Sequence, residues 1–506
     1  MKSRFFVVLV VAILSTSAAG ALSGSPDRAE PAATDHAECS HLTMLKLPDV
    51  KVTEAAAVPA ATTGGIRVAH CRVNGVIGSE IHFTLLLPDQ WNRKFMMGGG
   101  GGFVGQIQNQ AGGSVNTGYA TVGTDTGHQG GITDASWALN NLEREVNFGY
   151  LAVHRTAEVA KAIVRSYYGA NEAKSYFSGC SNGGRQAMME AQRYPDDFDG
   201  IVAGAPAYDF TAIGAQFIKD VQAVFPDPRN LGARLFTMDT LKAVEAQIVA
   251  KCDALDGVKD GLIDDPRGCK VDIGSLTGLT EAQRTALKTI YAETRNKDGA
   301  IAPAQPFGGE GEAVNGWPQW IVGGAAPLPG QTAPSARFAF GTEMFKYFVF
   351  DDPAWDYTRY EFSNYKKDTA RAATFLNATN ANLDAFKARG GRLILWHGWS
   401  DPALTALGSI KYHDQVQARD PKAGEYFRMF LMPGVLHCAG GPGPDTADWT
   451  EAISDWVEHA KAPERVVARK VAAGAVARTR PLCAYPQRAV YKGSGSIDEA
   501  DSFVCR

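Results

Sequence analysis

The amino-acid sequence predicts an α/β fold in which a mostly parallel β-sheet is covered by helices on both faces. β-prone segments alternate with helical segments along the chain, which is the pattern that builds such a sheet. Near residue 181 a β-prone segment passes through a glycine-rich turn into a helix. The 506 residues exceed what one hydrophobic core usually organises, so a second domain or a large insertion is expected.

The N-terminal residues indicate the cellular location of the protein. Lys2 and Arg4 precede an apolar run over residues 5–14, which is too short to span a bilayer. Small residues at 19–21 match a signal-peptidase site, so residues 1–21 are predicted to be a signal peptide rather than a membrane anchor. We therefore expect a secreted or periplasmic protein with no membrane contact after cleavage.

Composition favours an ordinary globular enzyme. Hydrophobic residues make up 45% of the chain, and the formal net charge is −4. The sequence contains no strongly basic segment of the kind that binds nucleic acid, so no nucleic-acid partner is expected.

The N-terminal part of the core contains three predicted strands. They occupy residues 81–87, 95–97 and 119–123, and a helix is expected from about residue 150 to 167. The second strand runs into a glycine run at residues 98–102.

The next strand leads into the strongest catalytic motif. Residues 175–178 are β-prone, a G-x-S-x-G turn contains Gly179, Ser181 and Gly183, and a helical stretch covers residues 185–194. This context is typical of the nucleophile elbow of the α/β-hydrolase fold, where glycines relieve collisions around a strained serine. An ordinary turn serine is the alternative, and the strand-turn-helix order favours Ser181 as the nucleophile.

In this fold the acid and the histidine follow the serine, each on a loop after a later strand. Apolar strands at residues 392–396 and 426–432 lead to Asp401 and His437, the predicted acid and base. Two other histidines compete for the role of base. His397 lies on the acid loop and His128 precedes the serine, so both are predicted to be structural or pocket-lining.

The eight cysteines can pair in an oxidising compartment, although the sequence alone leaves many connectivities open. Local pairing would join Cys39 to Cys71, Cys252 to Cys269 and Cys483 to Cys505, and would leave Cys180 with Cys438. Since Cys180 adjoins Ser181 and Cys438 adjoins His437, that last bond would pin the two catalytic loops together. Two buried free thiols are the alternative.

Several motifs together resemble the tannase and feruloyl esterase family, whose hallmark is a Cys-Ser, Asp, His-Cys set with that disulfide. The resemblance is carried by residues 179–185, 200–206, 397–401 and 433–438 and runs from about Cys39 to Cys505. Residues 477–483 and 491–496 are similar to the branch that includes a terephthalate half-ester hydrolase.

More residues separate Ser181 from Asp401 than the remaining core requires, so a large inserted lid is predicted at residues 208–379. Residues 22–207 and 380–506 would then form the catalytic domain. The lid holds many aromatic residues, among them Trp317, Trp320, Phe338, Phe340, Phe345, Tyr347 and Phe348. They could form a ring-binding wall, although the lid's own core is the favoured role for any single one. The resemblance implies that the lid covers the substrate.

An acidic loop in the lid holds Asp253, Asp256 and Asp260 at a spacing unlike that of an EF-hand. A solvated loop is the default interpretation of such charges. The resemblance implies instead a structural calcium ion, held by these carboxylates and by the backbone carbonyls of Val258 and Leu262, with no organic cofactor.

The fold class places the second oxyanion donor after an early strand, so the backbone amides of Gly102 and Asn182 are the predicted oxyanion hole. A flexible surface loop is the alternative for the glycine run, because no sequence feature decides which glycine points inward.

The leading hypothesis is a serine esterase that cleaves small aromatic acid esters, because the family resemblance implies feruloyl, galloyl or related acyl groups. A terephthalate half-ester hydrolase, or a lipase or peptidase on this scaffold, is the alternative, followed by a binding module without catalysis. Arg337 matches a position where the half-ester branch holds the substrate's free carboxylate, and a surface arginine is the favoured alternative there.

Overall fold

The computed structural model describes residues 35–324 and 333–506, so the predicted signal peptide at residues 1–21 lies outside the described residues. Strands β1 to β15 are, in chain order, Val50–Val58, His70–Ile77, Ile81–Pro88, Lys94–Gly98, Ala120–Thr124, Lys174–Cys180, Gly200–Gly204, Thr294–Asn296, Gly299–Ala302, Arg392–Gly398, Phe427–Met432, Arg465–Ala472, Ala475–Cys483, Ala489–Tyr491 and Phe503–Cys505.

Helices α1 to α13 are, in chain order, Leu142–Val146, Ala152–Tyr168, Asn182–Arg193, Phe210–Val224, Met238–Cys252, Glu281–Tyr291, Trp317–Trp320, Ala336–Met344, Tyr365–Asp368, Ala370–Leu376, Asp384–Ala388, Ala406–Arg419 and Trp449–His459. π-helical turns occupy Asn147–Leu151 and Phe345–Val349.

The central sheet has nine strands in the order β1-β2-β3-β5-β4-β6-β7-β10-β11 within the described part of the chain. From β5 to β11 every neighbouring pair is parallel, whereas β1, β2 and β3 form an antiparallel edge that continues onto β5. The mostly parallel sheet confirms the predicted fold class. The edge strands β1 and β2 were not predicted; their half-exposed faces carry a weaker apolar signal than buried strands.

Helices cover both faces because adjacent side chains of each buried strand point in opposite directions. Phe177 in β6 packs into the core that includes Met188 of α3. Its neighbour Tyr176 packs on the other face against Ile453 and Trp456 of α13. All five side chains are buried.

The residues between β7 and β10 build a second hydrophobic core, in which Leu241, Leu287 and Trp317 are buried. Phe103 and Phe148, from the sheet side, belong to the same cluster. This inserted region therefore packs directly on the catalytic side of the sheet.

The four disulfides expected from the sequence are present. They join Cys39 to Cys71, Cys180 to Cys438, Cys252 to Cys269 and Cys483 to Cys505. In residues 35–324 and 333–506, helices that combine the length and the apolar character needed to cross a membrane do not occur.

Candidate active site

Ser181 stands in the sharp turn between β6 and α3. Its φ is +66°, a conformation that non-glycine residues rarely adopt. The turn is held by the Ser181 amide, which donates to Gly204 O at 3.0 Å. A Cβ atom on Gly179 would lie 2.7 Å from the carbonyl of Gly183, so Gly179 is sterically required.

His437 and Asp401 come together although each follows a different strand. His437 Nδ1 donates to Asp401 Oδ2 at 2.8 Å, which leaves Nε2 as the nitrogen available to Ser181. Ser181 and His437 border the same cavity. Among the described residues no direct hydrogen bond joins Ser181 Oγ to Nε2, and such contacts commonly tighten only when substrate binds.

The Asp401 carboxylate is fully buried and heavily hydrogen-bonded. Its Oδ1 accepts the amides of Ala403 and Leu404 at 2.7 and 2.9 Å. Burial alone would raise the pKa of Asp401, but His437 and His397 bring that pKa well below its usual range. The acid is therefore an anion throughout the neutral range.

The two competing histidines have structural surroundings. His397 Nδ1 bonds Ser409 Oγ at 2.8 Å, and its Nε2 lies 3.3 Å from Asp401 Oδ2, so it braces the acid. His128 stacks on Trp137 with ring centroids 3.6 Å apart. Burial lowers the pKa of His128 to about 4, so this ring is neutral at neutral pH.

The Cys180–Cys438 disulfide ties the loop of the nucleophile to the loop of the histidine. The bonded residues have Cα atoms 6.0 Å apart. Gln110, which the sequence analysis did not single out, holds the same region because its Oε1 accepts the Cys180 amide at 2.7 Å. Asn315 Nδ2 supports the other loop by donating to His437 O at 2.8 Å.

Hydrogen bonding within the glycine run leaves the predicted donor, the Gly102 amide, unoccupied. The amides of Gly99, Gly100 and Gly101 each donate to an acceptor in the protein. The amide of Gly102 has no such acceptor among the described residues, and Gly102 lines the cavity with Ser181. The run is therefore an ordered loop with one amide left free.

Asn182 supplies the second predicted amide, since it is the first residue of α3 and the first amides of a helix lack internal partners. The Asn182 side chain also holds the glycine run in place, because its Nδ2 donates a hydrogen bond to Gly100 O at 3.0 Å. Buried Arg185 orients that side chain, with Nε donating to Asn182 Oδ1 at 2.8 Å. Sequence reasoning assigned no role to Arg185, although it lies in the motif.

The cavity above Ser181 is lined almost entirely by apolar side chains from both parts of the chain. Phe103, Ala207, Ala403 and Leu404 come from the sheet side, and Phe210, Ile213, Gly214, Phe217, Trp320, Phe340 and Met344 come from the inserted region. The Trp320 ring meets the His437 ring edge to face, with centroids 4.9 Å apart. Of the aromatic residues singled out in the sequence, Trp320 and Phe340 line the cavity, whereas Trp317, Phe345 and Phe348 are buried in the second core.

Arg337 is not a surface residue, so the favoured sequence-based interpretation is wrong, and it is not among the described residues that line the cavity beside Ser181. Its side chain is fully buried, and its guanidinium pairs with Asp220. It also donates to Gln305 Oε1 at 2.6 Å and to Pro402 O at 2.9 Å. Tertiary packing commits every nitrogen to an internal partner beside the Asp401 loop.

The acidic loop presents carboxylate and carbonyl oxygens to a possible calcium ion. Asp253 Oδ1 accepts the amide of Asp260 at 3.1 Å, Asp256 Oδ1 that of Val258 at 3.0 Å, and Asp260 Oδ1 that of Leu262 at 3.1 Å. The carbonyl oxygens of Val258 and Leu262 accept no hydrogen bond from the described residues. Carboxylates and free carbonyls are the donor types that calcium prefers, although in the described part of the chain the three carboxylates do not bring their oxygens within 4.8 Å of one another.

Asp264 belongs to the same loop and was missed. Its Oδ2 is buried without a partner, and burial, with the nearby Asp256 carboxylate, raises the pKa of Asp264 to about 7. Arg480 pairs with Asp260 and supplies part of the positive charge. The regular spacing of Asp256, Asp260 and Asp264 is the signal that could have found this residue.

Comparisons with known sequences agree over most of the chain. The family model described as tannase and feruloyl esterase matches residues 66–506. An uncharacterised esterase of Xanthomonas campestris is 35% identical over 94% of this chain and 92% of its own length. The mono(2-hydroxyethyl) terephthalate hydrolase of Piscinibacter sakaiensis is 32% identical over 89% of this chain and 87% of its own length. Feruloyl esterase B of Aspergillus niger is 29% identical over 86% of each chain.

Solved structures show the same architecture. Feruloyl esterase B from Aspergillus oryzae superposes with a TM-score of 0.81 and 27% identity, covering 92% of this chain and 99% of its own. Tannin acyl hydrolase from Aspergillus niger superposes with a TM-score of 0.71 at 21% identity, covering 91% of this chain and 92% of its own. This similarity shows a shared fold.

Proposed function

Because the chain belongs to the tannase and feruloyl esterase family and is a carboxylic ester hydrolase of that type, we propose that Ser181, His437 and Asp401 cleave esters of neutral aromatic acids through an acyl-enzyme. The observation that carries the proposal is the position of the Ser181 elbow and the Asp401-bonded His437 on one apolar, aromatic-lined cavity.

Each residue has a defined step in this mechanism. His437 Nε2 takes the proton of Ser181 Oγ as the hydroxyl attacks the ester carbonyl, and Asp401 stabilises the imidazolium that forms. The amides of Gly102 and Asn182 hold the oxyanion. The alcohol leaves with the proton from His437, and water, activated by the same imidazole, then releases the acid.

The cavity wall supports a neutral acyl group. Aromatic side chains such as Phe103, Phe210 and Trp320 can pack against a ring, whereas the lining residues that the structure describes include no Lys or Arg. Burying a free carboxylate there without a cationic partner would cost several kcal/mol, of the order measured for unpaired buried charges. Arg337 cannot supply that partner while it pairs with Asp220.

A terephthalate half-ester hydrolase is the second candidate, because a relative of that name is 32% identical. The two candidates are separated by methyl 4-hydroxybenzoate and monomethyl terephthalate, which differ only in the group opposite the ester. We expect kcat/KM to favour the neutral ester at least about tenfold, which corresponds to about 1.4 kcal/mol.

Methyl hydroxycinnamates, a gallate ester, a triglyceride and a peptide complete the substrate panel. Trp320→Ala should lower kcat/KM for the aromatic esters more than for ethyl acetate, because only the ring uses that wall. A preference for monomethyl terephthalate would reject the neutral acyl group. Faster cleavage of the triglyceride or the peptide would reject the aromatic esterase itself.

We also propose a structural calcium ion in the acidic loop, held by the carboxylates of Asp253, Asp256 and Asp260 and the carbonyls of Val258 and Leu262. The ion would offset the mutual repulsion of the loop carboxylates and brace the inserted region. A secreted or periplasmic location is proposed as well, supported by the four disulfides, which persist in oxidising compartments.

A further inference from the structure

A buried carboxylate outside the active site forms no ion pair with the residues that the structure describes. Glu190, on α3, has no exposed surface, and neither of its carboxylate oxygens has a hydrogen-bond partner. Within the described residues, no Lys, Arg or His lies within ion-pair distance of it. Burying an ionised carboxylate in this way is very costly unless it is paired or binds a metal.

Two further metal-binding side chains converge on Glu190. His154 from α2 and Asp197 from the loop after α3 each place one ligand atom so that these atoms and one Glu190 oxygen all lie within 4.8 Å of one another. His154 is held in place, because its ring stacks on Tyr194 with centroids 3.8 Å apart. The three groups come from two helices and the loop after α3, and His154 Nδ1 already bonds Asp197 Oδ2 at 2.6 Å.

We propose that His154, Glu190 and Asp197 form a binding site for a first-row divalent metal ion, with zinc as the favoured occupant. An imidazole nitrogen with two carboxylates is a ligand set that zinc accepts in proteins. His154 Nδ1 faces Asp197, whereas Glu158 lies 3.4 Å from His154 Nε2 at the exposed side and would orient the ring as Nδ1 binds the ion. This site lies apart from the acidic loop and from the triad residues.

The ammonium group of Lys161 lies close to the proposed site. Lys161 Nζ donates to the backbone oxygen of Asp197 and lies 3.9 Å from Glu172, so it stands close to the ligands but engages other partners. A bound ion would link α2 to α3, the helix that begins directly after Ser181. Metal binding would therefore stabilise the packing of α2 against α3 without contact with substrate.

The test counts zinc ions in the full protein. Protein treated with chelator and then saturated with calcium is titrated with zinc by calorimetry, and its melting temperature is followed in parallel. Glu190→Gln and His154→Gln remove one ligand each. His459→Gln is the matched control, because His459 forms an exposed pair with Asp455 at 3.1 Å that lacks a buried third carboxylate.

We expect the parent and the control to bind one more zinc equivalent than either ligand variant, and zinc to raise the melting temperature by several degrees only in the parent and the control. Cobalt should give visible d–d absorption that both ligand variants lose. Because His154 is partly exposed, His154→Gln should leave the fold intact. Equal zinc binding in the parent and in this variant would overturn the proposal. Absence of zinc binding in the parent would do the same and would assign a shared proton to Glu190 and Asp197.

Discussion

The disulfide between Cys180 and Cys438, with Cα atoms 6.0 Å apart, joins the residue before Ser181 to the residue after His437. It links positions separated by 258 residues of chain. The bond therefore controls the distance between the nucleophile loop and the base loop, a distance on which proton transfer depends.

The first prediction follows from this bond. Cys180→Ala combined with Cys438→Ala should lower kcat more than it disturbs the fold, because the two catalytic loops can then separate. Some stability should also be lost, since a long closed loop is worth up to about 4 to 5 kcal/mol in chain-entropy estimates. Circular dichroism and ester hydrolysis below the melting temperature measure the two effects.

Cys483→Ala with Cys505→Ala is the control, because this disulfide closes a C-terminal segment away from the cavity. The control should lose stability and keep kcat. Full activity in the folded Cys180/Cys438 variant would contradict the catalytic importance of the bond.

The second prediction concerns the triad. Ser181→Ala, His437→Ala and Asp401→Asn should each reduce kcat by about 10³-fold or more, because the three side chains act as one unit. The double variant of Ser181 and His437 should be little worse than either single one. If the single losses multiplied in the double variant, the assignment of these residues to one triad would be wrong.

The third prediction concerns Gly102. Gly102→Ala should lower kcat by about 10²- to 10³-fold, the usual loss for an oxyanion donor. The added Cβ would lie 2.5 Å from Ile132 O, and the backbone φ of +57° is unfavourable for alanine, so the amide must move. Gly113→Ala is the control, because nothing lies within 4 Å of its Cβ position. An active, folded Gly102→Ala enzyme would argue against this donor.

The fourth prediction is a pH dependence of stability. The pKa of His128 is lowered from 6.5 to about 4 by burial, so the unfolded chain binds a proton at this residue before the folded chain does. Folding free energy should therefore be lost as pH falls from about 6.5 to about 4, by up to about 3 kcal/mol from this residue.

His128→Gln removes the titrating ring and keeps an amide that can donate to Phe103 O, the acceptor of His128 Nε2. Its melting temperature should fall less steeply over that pH range than the parent's. His459→Gln, at an exposed histidine, should leave the parent's slope unchanged. Parallel pH profiles for the parent and His128→Gln would refute the assignment.

The fifth prediction tests the calcium loop. Asp256→Asn with Asp260→Asn should lower the melting temperature and remove its response to added calcium, because a ligand that binds only the folded state stabilises it. Asp227→Asn, at an exposed position paired with Arg229, is the control. The same melting temperature for the parent in calcium and in chelator would disprove a structural ion.

Local sequence patterns determined the catalytic elbow. Gly179 is required by its close contact with the backbone of Gly183, two residues after Ser181, so the motif itself carries that information, whereas Gly183 is restricted by the distant Gln110. The predicted strands before Asp401 and His437 appear as β10 and β11, because short apolar runs bounded by turn residues are typical of buried strands. The three disulfides between neighbouring cysteines could likewise be predicted from the sequence, because their partners lie close together along the chain.

Tertiary structure alone decided which groups meet across the chain. The sequence could not choose among the glycines at 98–102, because the choice depends on acceptors such as Gln186 that free or occupy each amide. Arg337 resembled a surface or substrate-binding residue until packing buried it against Asp220. His154, Glu190 and Asp197 carry no motif, since their proximity arises from how α2 packs beside α3. Burial and pairing are properties of the assembled fold, and they set the chemistry of a polar side chain.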